Sequence, residues 1–356
     1  MASIYSNSFL TVAAAKSSDS QGGLFSSAPP EHLGHPISYK TRLRKAIEIQ
    51  VRHSLSHDAF WQSTDESKLP LFRRGWAYQE RLLAPRVLNF TSNELVLECL
   101  EDSVCECSNI TESYMRLIPF PKPEFTRSLE SDNSRINLAC ANWNLMVACY
   151  SNLELTFESD KLPAISGIAR RIQEVTNDTY LAGHWKSQLP RSLSWTSVQP
   201  ATSGSRSRTS QWLAPSWSWV SVRGPVRFHG GHSDMDMDTA DLICAGCETA
   251  PGKLIGGVTS GFIALSGSLL PLSSLELAGE MRAWSLAGFD DYQEAKNNFN
   301  ERRTTLWMMP LYLHVEVAGT ETYRHLGCIV LRETTTLVAS VPNLDVVQIK
   351  KEIRDN

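Results

Sequence analysis

A chain of 356 residues has room for about two domains at the usual ~150 residues each. Hydrophobic residues make up 42% of it and charged residues 20%, which allows a sizeable core and excludes wholesale disorder. With 34 basic against 38 acidic residues and a net charge of −4, the chain carries no basic block and no general nucleic-acid footprint.

Met1 to Ala15 lacks an early positive charge, and Ser6, Asn7 and Ser8 break its apolar run, so it does not read as a secretory signal. No apolar run approaches the ~20 residues that span a bilayer. The expectation is a cytoplasmic protein with no membrane span, whose eight cysteines are mostly reduced thiols.

In chain order, Phe9 to Ala15 reads as a short buried strand. Ser17 to Pro30 is a loop rich in Ser, Gly and Pro. Tyr39 to Gln50 fits either a strand with its polar face outward or a short helix. Phe60 and Trp61 precede a polar loop through Lys68. Ala77 to Leu83 are mostly good helix formers, and Pro85 ends that helix by biasing Ala84 away from helical backbone. Val87–Phe90 and Glu94–Cys99 then read as strands joined by Thr91-Ser92-Asn93. Leu100 to Arg127 is polar, contains Pro, and reads as irregular.

The period then changes. Ile136, Ala139, Cys140, Trp143, Met146, Val147 and Tyr150 recur at helical spacing, which predicts an amphipathic helix over 135–151. A second helix follows Leu162-Pro163, with Ile165, Ile168, Ala169, Ile172 and Val175 on one face. Leu193 to Trp195 reads as the close of a third, shorter helical piece, and 199–210 as a loop. Pro215 to Ser221 alternates Trp with small polar residues, which predicts a strand burying Trp217 and Trp219. Beyond it, Val226–Phe228, Leu242–Cys247, Phe262–Leu270, Leu311–Val317 and Cys328–Arg332 read as strands. The polar 282–303 stretch reads as a loop or helix, and the charged tail 346–356 as frayed.

The densest stretch is Arg74-Gly75-Trp76-Ala77-Tyr78-Gln79-Glu80-Arg81-Leu82-Leu83-Ala84-Pro85-Arg86. It resembles the R-G-W-x-x-Q-E-R-x-L-x-x-R block of the fungal heterokaryon-incompatibility (HET) domain. Upstream, Ile4-Tyr5-Ser6-Asn7 through Ala14 resembles that family's I-Y-x-N-A-x-x-T-I-x-A block, and Gly23-Leu24-Phe25 its G-L-F. Downstream, Leu97-Glu98-Cys99 is similar to its W-E-C. The family's opening Tyr/Trp/Gly block has no counterpart, which places Met1 inside the domain and implies N-terminal truncation. Lys161–Ala169, Tyr180–Trp185 and Pro215–Trp219 resemble segments found C-terminal to the domain.

The resemblance implies an α/β fold class. A partial HET domain with an incomplete sheet covers 1–110, and a linker with a helical segment covers 111–195. A β-rich accessory domain covers 196–345, and a charged tail 346–356. The implied function is non-self recognition linked to programmed cell death. The chain would act as a signalling or interaction module, through protein partners or self-association. The HET domain has been compared with the TIR fold, some members of which cleave NAD, so an NAD-consuming enzyme is the alternative. An inert or regulatory truncated relative is a third reading.

The motif residues are Tyr5, Asn7, Arg74, Gly75, Trp76, Gln79, Glu80, Arg81, Arg86, Glu98 and Cys99. Among them Glu80, set against Arg74, Arg81 and Arg86, is the candidate catalytic residue. A paired structural brace is the favoured reading, because charged groups are rarely buried unless paired. Cys244-Ala245-Gly246-Cys247 lacks a second ligand pair and falls in a strand-like run, so it reads as two packed thiols. Cys105-Glu106-Cys107 has one intervening residue, which suits neither common cysteine pattern. His229-Gly230-Gly231-His232 and Asp234 to Asp238 read as an exposed loop; Thr239 stands where a calcium loop needs Gly. No nucleophile elbow or Walker-type loop is present. The expectation is therefore no metal and no cofactor.

Overall fold

The computed structural model describes residues 1–40, 46–53, 55, 69–108, 122–129, 133–189, 191–198, 209, 211–228, 240–250, 255, 257–267, 306–317, 320–332 and 351–354. Phe60, Trp61, most of 199–210, the His229–His232 and Asp234–Asp238 runs and the 282–303 stretch lie outside them. The chain divides into two units, Met1–Arg135 with Leu153–Leu155, and Ile136–Asn152 with Thr156–Asn356. It mixes helices and sheets, as the sequence implies.

In the first unit, α1 (Ala2–Ser6) leads into β1 (Thr11–Ala13). This strand is shorter than the predicted Phe9–Ala15, and Phe9 and Val12 face outward. The described ends of the ambiguous Tyr39–Gln50 segment lie in paired strands: β2 (His35–Lys40) pairs antiparallel with β3 (Ala46–Val51). Their β-branched Ile37, Ile47, Ile49 and Val51 favour that outcome over a helix. The next helix, α2 (Gly75–Leu83), begins two residues before the predicted start and stops where Pro85 requires. Ala84 there takes extended backbone, φ −67° and ψ 132°.

β4 (Arg86–Phe90), β5 (Leu95–Cys99) and β6 (Ser103–Cys105) follow as an antiparallel meander, and β1 lies parallel to β4 on its outer side. The stretch expected to be irregular therefore holds β6, and further on α3 (Lys122–Ser128). Polar residues on their buried sides hid both elements: Ser103 in β6, Lys122 and Ser128 in α3. Register puts Ala13, Val87, Asn89, Val96, Glu98, Ser103 and Cys105 on one sheet face, and all are buried. Leu69, Leu71, Phe72, Ala84 and Tyr5 pack onto members of this set.

In the second unit, α4 (Asn133–Tyr150) buries Ala139, Cys140, Trp143, Met146, Val147 and Tyr150, the stripe expected from the spacing. α5 (Ser166–Thr176) buries Ile168, Ala169 and Ile172, and Asn177 ends it in left-handed backbone at φ 52°. β7 (Tyr180–Leu181) and β8 (His184–Trp185) form a tight hairpin around Ala182 and Gly183. The Trp143 and Trp219 indoles both donate to the Gly183 carbonyl, at 2.7 and 2.9 Å.

Two local expectations fail here. Leu193–Trp195 closes no α-helix. Arg191–Leu193 makes one 3₁₀ turn, and β9 (Trp195–Ser197) pairs antiparallel with β10 (Val226–Phe228). Pro215–Ser221 is not a strand but a turn leading into the 3₁₀ segment Trp219–Ser221. Its serines account for this. Ser218 Oγ accepts from Val220 N and Ser221 Oγ donates to the Ser218 carbonyl, local bonds that compete with a ladder. Trp217 and Trp219 are nonetheless buried.

β11 (Ala240–Thr249) and β12 (Val258–Gly267) pair antiparallel, as do β13 (Leu306–Val317) and β14 (Thr320–Arg332). The tail expected to fray contains β15 (Lys351–Arg354), which pairs with β12. No described helix is long and apolar enough to cross a membrane.

Candidate functional site

The buried face of the β1–β4–β5–β6 sheet carries two polar side chains that alternation would reserve for apolar ones, Asn89 and Glu98. Glu98 is 2% exposed, and a carboxylate at that depth is costly unless paired. Helix α2 supplies the partner. Arg81 Nε donates to Glu98 Oε2 at 2.6 Å and Nη2 to Oε1 at 2.8 Å, a two-pronged charged bond. The Arg81 guanidinium also lies 4.1 Å from the centre of the Phe72 ring. Asn89 Nδ2 donates to Glu98 Oε2 at 3.0 Å and to the Val96 carbonyl at 3.2 Å.

Lys122 of α3 completes the group, its ammonium donating to the Ala84 carbonyl at 2.8 Å. Burial pushes the Glu98 carboxyl up. The Arg81 charge and hydrogen bonds, the Lys122 charge and the Asn89 amide outweigh that push and hold it below its ordinary range. Burial pulls the Lys122 ammonium down to about 8, with Glu98 opposing and Arg81 reinforcing the fall. An ionised, sealed carboxylate with three donors on two oxygens can neither reach a substrate nor carry a proton to one. Chemically this group is a brace.

A second contact joins the two motif-bearing helices. The Tyr5 hydroxyl of α1 faces the Glu80 carboxylate of α2, and burial followed by the Glu80 charge raises the phenol. Tyr5 rests on the Ala13–Ala84–Val87 cluster.

Glu80 therefore does not gather the three arginines. Arg81 turns to Glu98, Arg86 lies 5.2 Å from the centre of the Phe9 ring, and Arg74 is exposed at the start of α2. Asn7 closes α1 through its Nδ2 bond to the Ser3 carbonyl, 2.8 Å. Gln79 is buried and Trp76 half-buried on α2. Cys99 accepts from the Asp102 amide at 3.3 Å.

Gly75 sits where the backbone approaches Leu153–Leu155, and its amide donates to the Glu154 carbonyl at 2.8 Å. A Cβ there would lie 2.7 Å from Leu155 Cδ2. Gly75→Ala is expected to cost about 1–3 kcal/mol by overpacking, read as a lower denaturant midpoint. A change under about 0.5 kcal/mol would show that Leu155 moves aside freely.

Asn89 and Lys122 were not among the predicted site residues. Asn89 left a readable signal, a short amide on the inward side of an alternating strand. Lys122, between two prolines, left none. Of the two thiols expected to be packed on a strand, Cys247 is half-buried and Cys244 is not packed but exposed on β11. Three residues of extended strand separate their Cα atoms by about 10 Å, beyond the ~7 Å that a disulfide bridges. Cys244 is exposed, and burial pushes the Cys247 thiol up to about 12.

Residues 1–80 match the family model described as Heterokaryon incompatibility protein (HET). The match bears out the resemblance carried by the Tyr5–Asn7 and Arg74–Glu80 blocks. It runs from α1 into α2 and includes both partners of the Tyr5–Glu80 contact. No curated protein and no solved structure matches the chain.

Proposed function

We propose that this chain is a heterokaryon-incompatibility-type signalling module. It acts in the cytoplasm in non-self recognition between fused cells, and triggers cell death by associating with a second copy of itself. The family match of residues 1–80 supports the incompatibility role. The association rests on one observation. Arg81 and Glu98 of the motif are engaged with each other, while apolar side chains of α1, of the segment leading into β1 and of β1 itself lie outward. Phe9 is 82% exposed, Ile4 68% and Val12 51%. Among the described residues no strand pairs with the far edge of β1. An open strand edge offers backbone donors and acceptors that complement a like edge, and a two-fold pairing uses the same patch twice.

Regulated expression of the full chain in a filamentous-fungal host tests this reading through viable counts. The wild-type chain is expected to arrest growth. The double variant Phe9→Asp/Val12→Asp is expected to restore viability at an equal protein level. Harmless wild-type protein would remove the death role, and a double variant that kills as well would remove the β1 surface from it.

A further inference from the structure

The Cys105-x-Cys107 pair gains in the fold what its sequence lacks, a third ligand-bearing side chain. Glu94 stands at the turn between β4 and β5, and register places it beside the end of β6. One of its carboxylate oxygens and the two sulfurs all lie within 4.8 Å of one another. Cys105 Sγ and Cys107 Sγ are 3.2 Å apart, and Cys107 Sγ is 3.6 Å from Glu94 Oε1.

The positions are held by backbone bonds. Thr91 Oγ1 accepts from the Glu94 amide and donates to its carbonyl, which closes the turn. Leu95 N donates to Glu106 Oε2 at 2.8 Å, and Glu106 N to the Leu95 carbonyl at 3.2 Å. Cys107 N donates to Glu94 Oε2 at 2.9 Å, which aims Oε1 at the sulfur. Ser108 then turns the chain in left-handed backbone, φ 57°, its amide donating to the Cys105 carbonyl.

We propose that Glu94, Cys105 and Cys107 form a site for a soft divalent cation of the zinc class, with the fourth tetrahedral position open to water. Ideal zinc bond lengths put a ligating sulfur and oxygen about 3.6 Å apart and two ligating sulfurs about 3.8 Å apart. The Cys107 sulfur–oxygen spacing already matches, the sulfurs need open by about 0.6 Å, and the Cys105 sulfur already lies within 4.8 Å of the Glu94 carboxylate. Two sulfur ligands select against magnesium and calcium, which take oxygen. On binding, each thiol loses its proton to solvent as its metal–sulfur bond forms, so affinity falls as pH falls.

The test is a cobalt titration of the reduced, chelator-treated full chain, followed by zinc. One equivalent of cobalt is expected to raise a thiolate-to-cobalt charge-transfer band, which zinc then removes. Cys107→Ser and the near-isosteric Glu94→Gln are each expected to weaken cobalt binding at least about 10–100-fold, the loss typical of removing even a ligand's supporting partner. Cys244→Ser, at an exposed thiol on β11, is expected to leave the band intact. Absence of the band in the wild type, its persistence in Cys107→Ser, or its loss in Cys244→Ser would overturn the site. So would recovery of a Cys105–Cys107 disulfide from protein purified without added oxidant.

Discussion

Glu98→Gln is expected to destabilise the first unit by about 3–5 kcal/mol, the cost of leaving a buried charge without its partner. The amide keeps the shape but withdraws the negative charge that Arg81 and Lys122 face. A neutral side chain also cannot accept both prongs of the guanidinium as a carboxylate does. Arg81→Met is expected to cost a comparable amount, because Glu98 is then buried with less compensation. The double variant Arg81→Met/Glu98→Leu should cost less than the sum, since guanidinium and carboxylate leave together and only the Lys122 ammonium, still bonded to the Ala84 carbonyl, stays buried. Chemical denaturation of the four proteins checks this cycle. A Glu98→Gln effect below about 1 kcal/mol would place the pair with exposed surface bridges instead.

The same pair sets a pH dependence. The folded carboxyl lies below its ordinary value of 4.5. Its stabilisation is therefore complete above that value and is lost as pH falls through the lower folded value. Glu98→Gln should flatten the acid limb of the stability curve and leave the neutral plateau lower. A variant with an unchanged acid limb would show that other carboxylates govern it.

Gly183→Ala is expected to destabilise the second unit by about 2–6 kcal/mol. Backbone strain and overpacking supply about 1–3 kcal/mol each. Gly183 has φ 99°, which an L side chain rarely adopts. A Cβ there would also lie on the Trp219 indole, 2.9 Å from Cε2. Displacing that ring disturbs two indole bonds to the Gly183 carbonyl and the Ser218 bond to the Ala182 carbonyl. Tyr150 loses its edge contact with the Trp219 ring. The thermal midpoint and the near-ultraviolet circular dichroism report it together. An unaltered aromatic spectrum with a shift inside about 0.5 kcal/mol would mean that the hairpin tolerates a methyl.

Local chemistry was legible wherever one signal dominated. Pro85 marked the end of α2, and the Ala139–Tyr150 stripe marked α4, because each depends only on neighbours in sequence. Elements whose inward side is polar were not legible. Lys122 and Ser128 made α3 look like loop, and serine hydroxyls turned Pro215–Ser221 away from the strand that its alternation suggested. The brace was half visible. Arg81 and Glu98 both stood in recognisable motif blocks, but 17 residues separate them and only strand register brings them together. Cys105-x-Cys107 read as uninformative for the same reason, since Glu94 reaches it through the β4–β5 and β5–β6 pairings rather than through spacing.

The measurement that bears most directly on self-association is sedimentation equilibrium of the purified full chain, wild type beside Phe9→Asp/Val12→Asp. The account expects a wild-type mass above that of one chain, and a monomeric variant with unchanged circular dichroism and unfolding midpoint. A wild-type chain that stays monomeric at concentrations that arrest growth would contradict it, and the trigger for death would then lie outside the β1 edge.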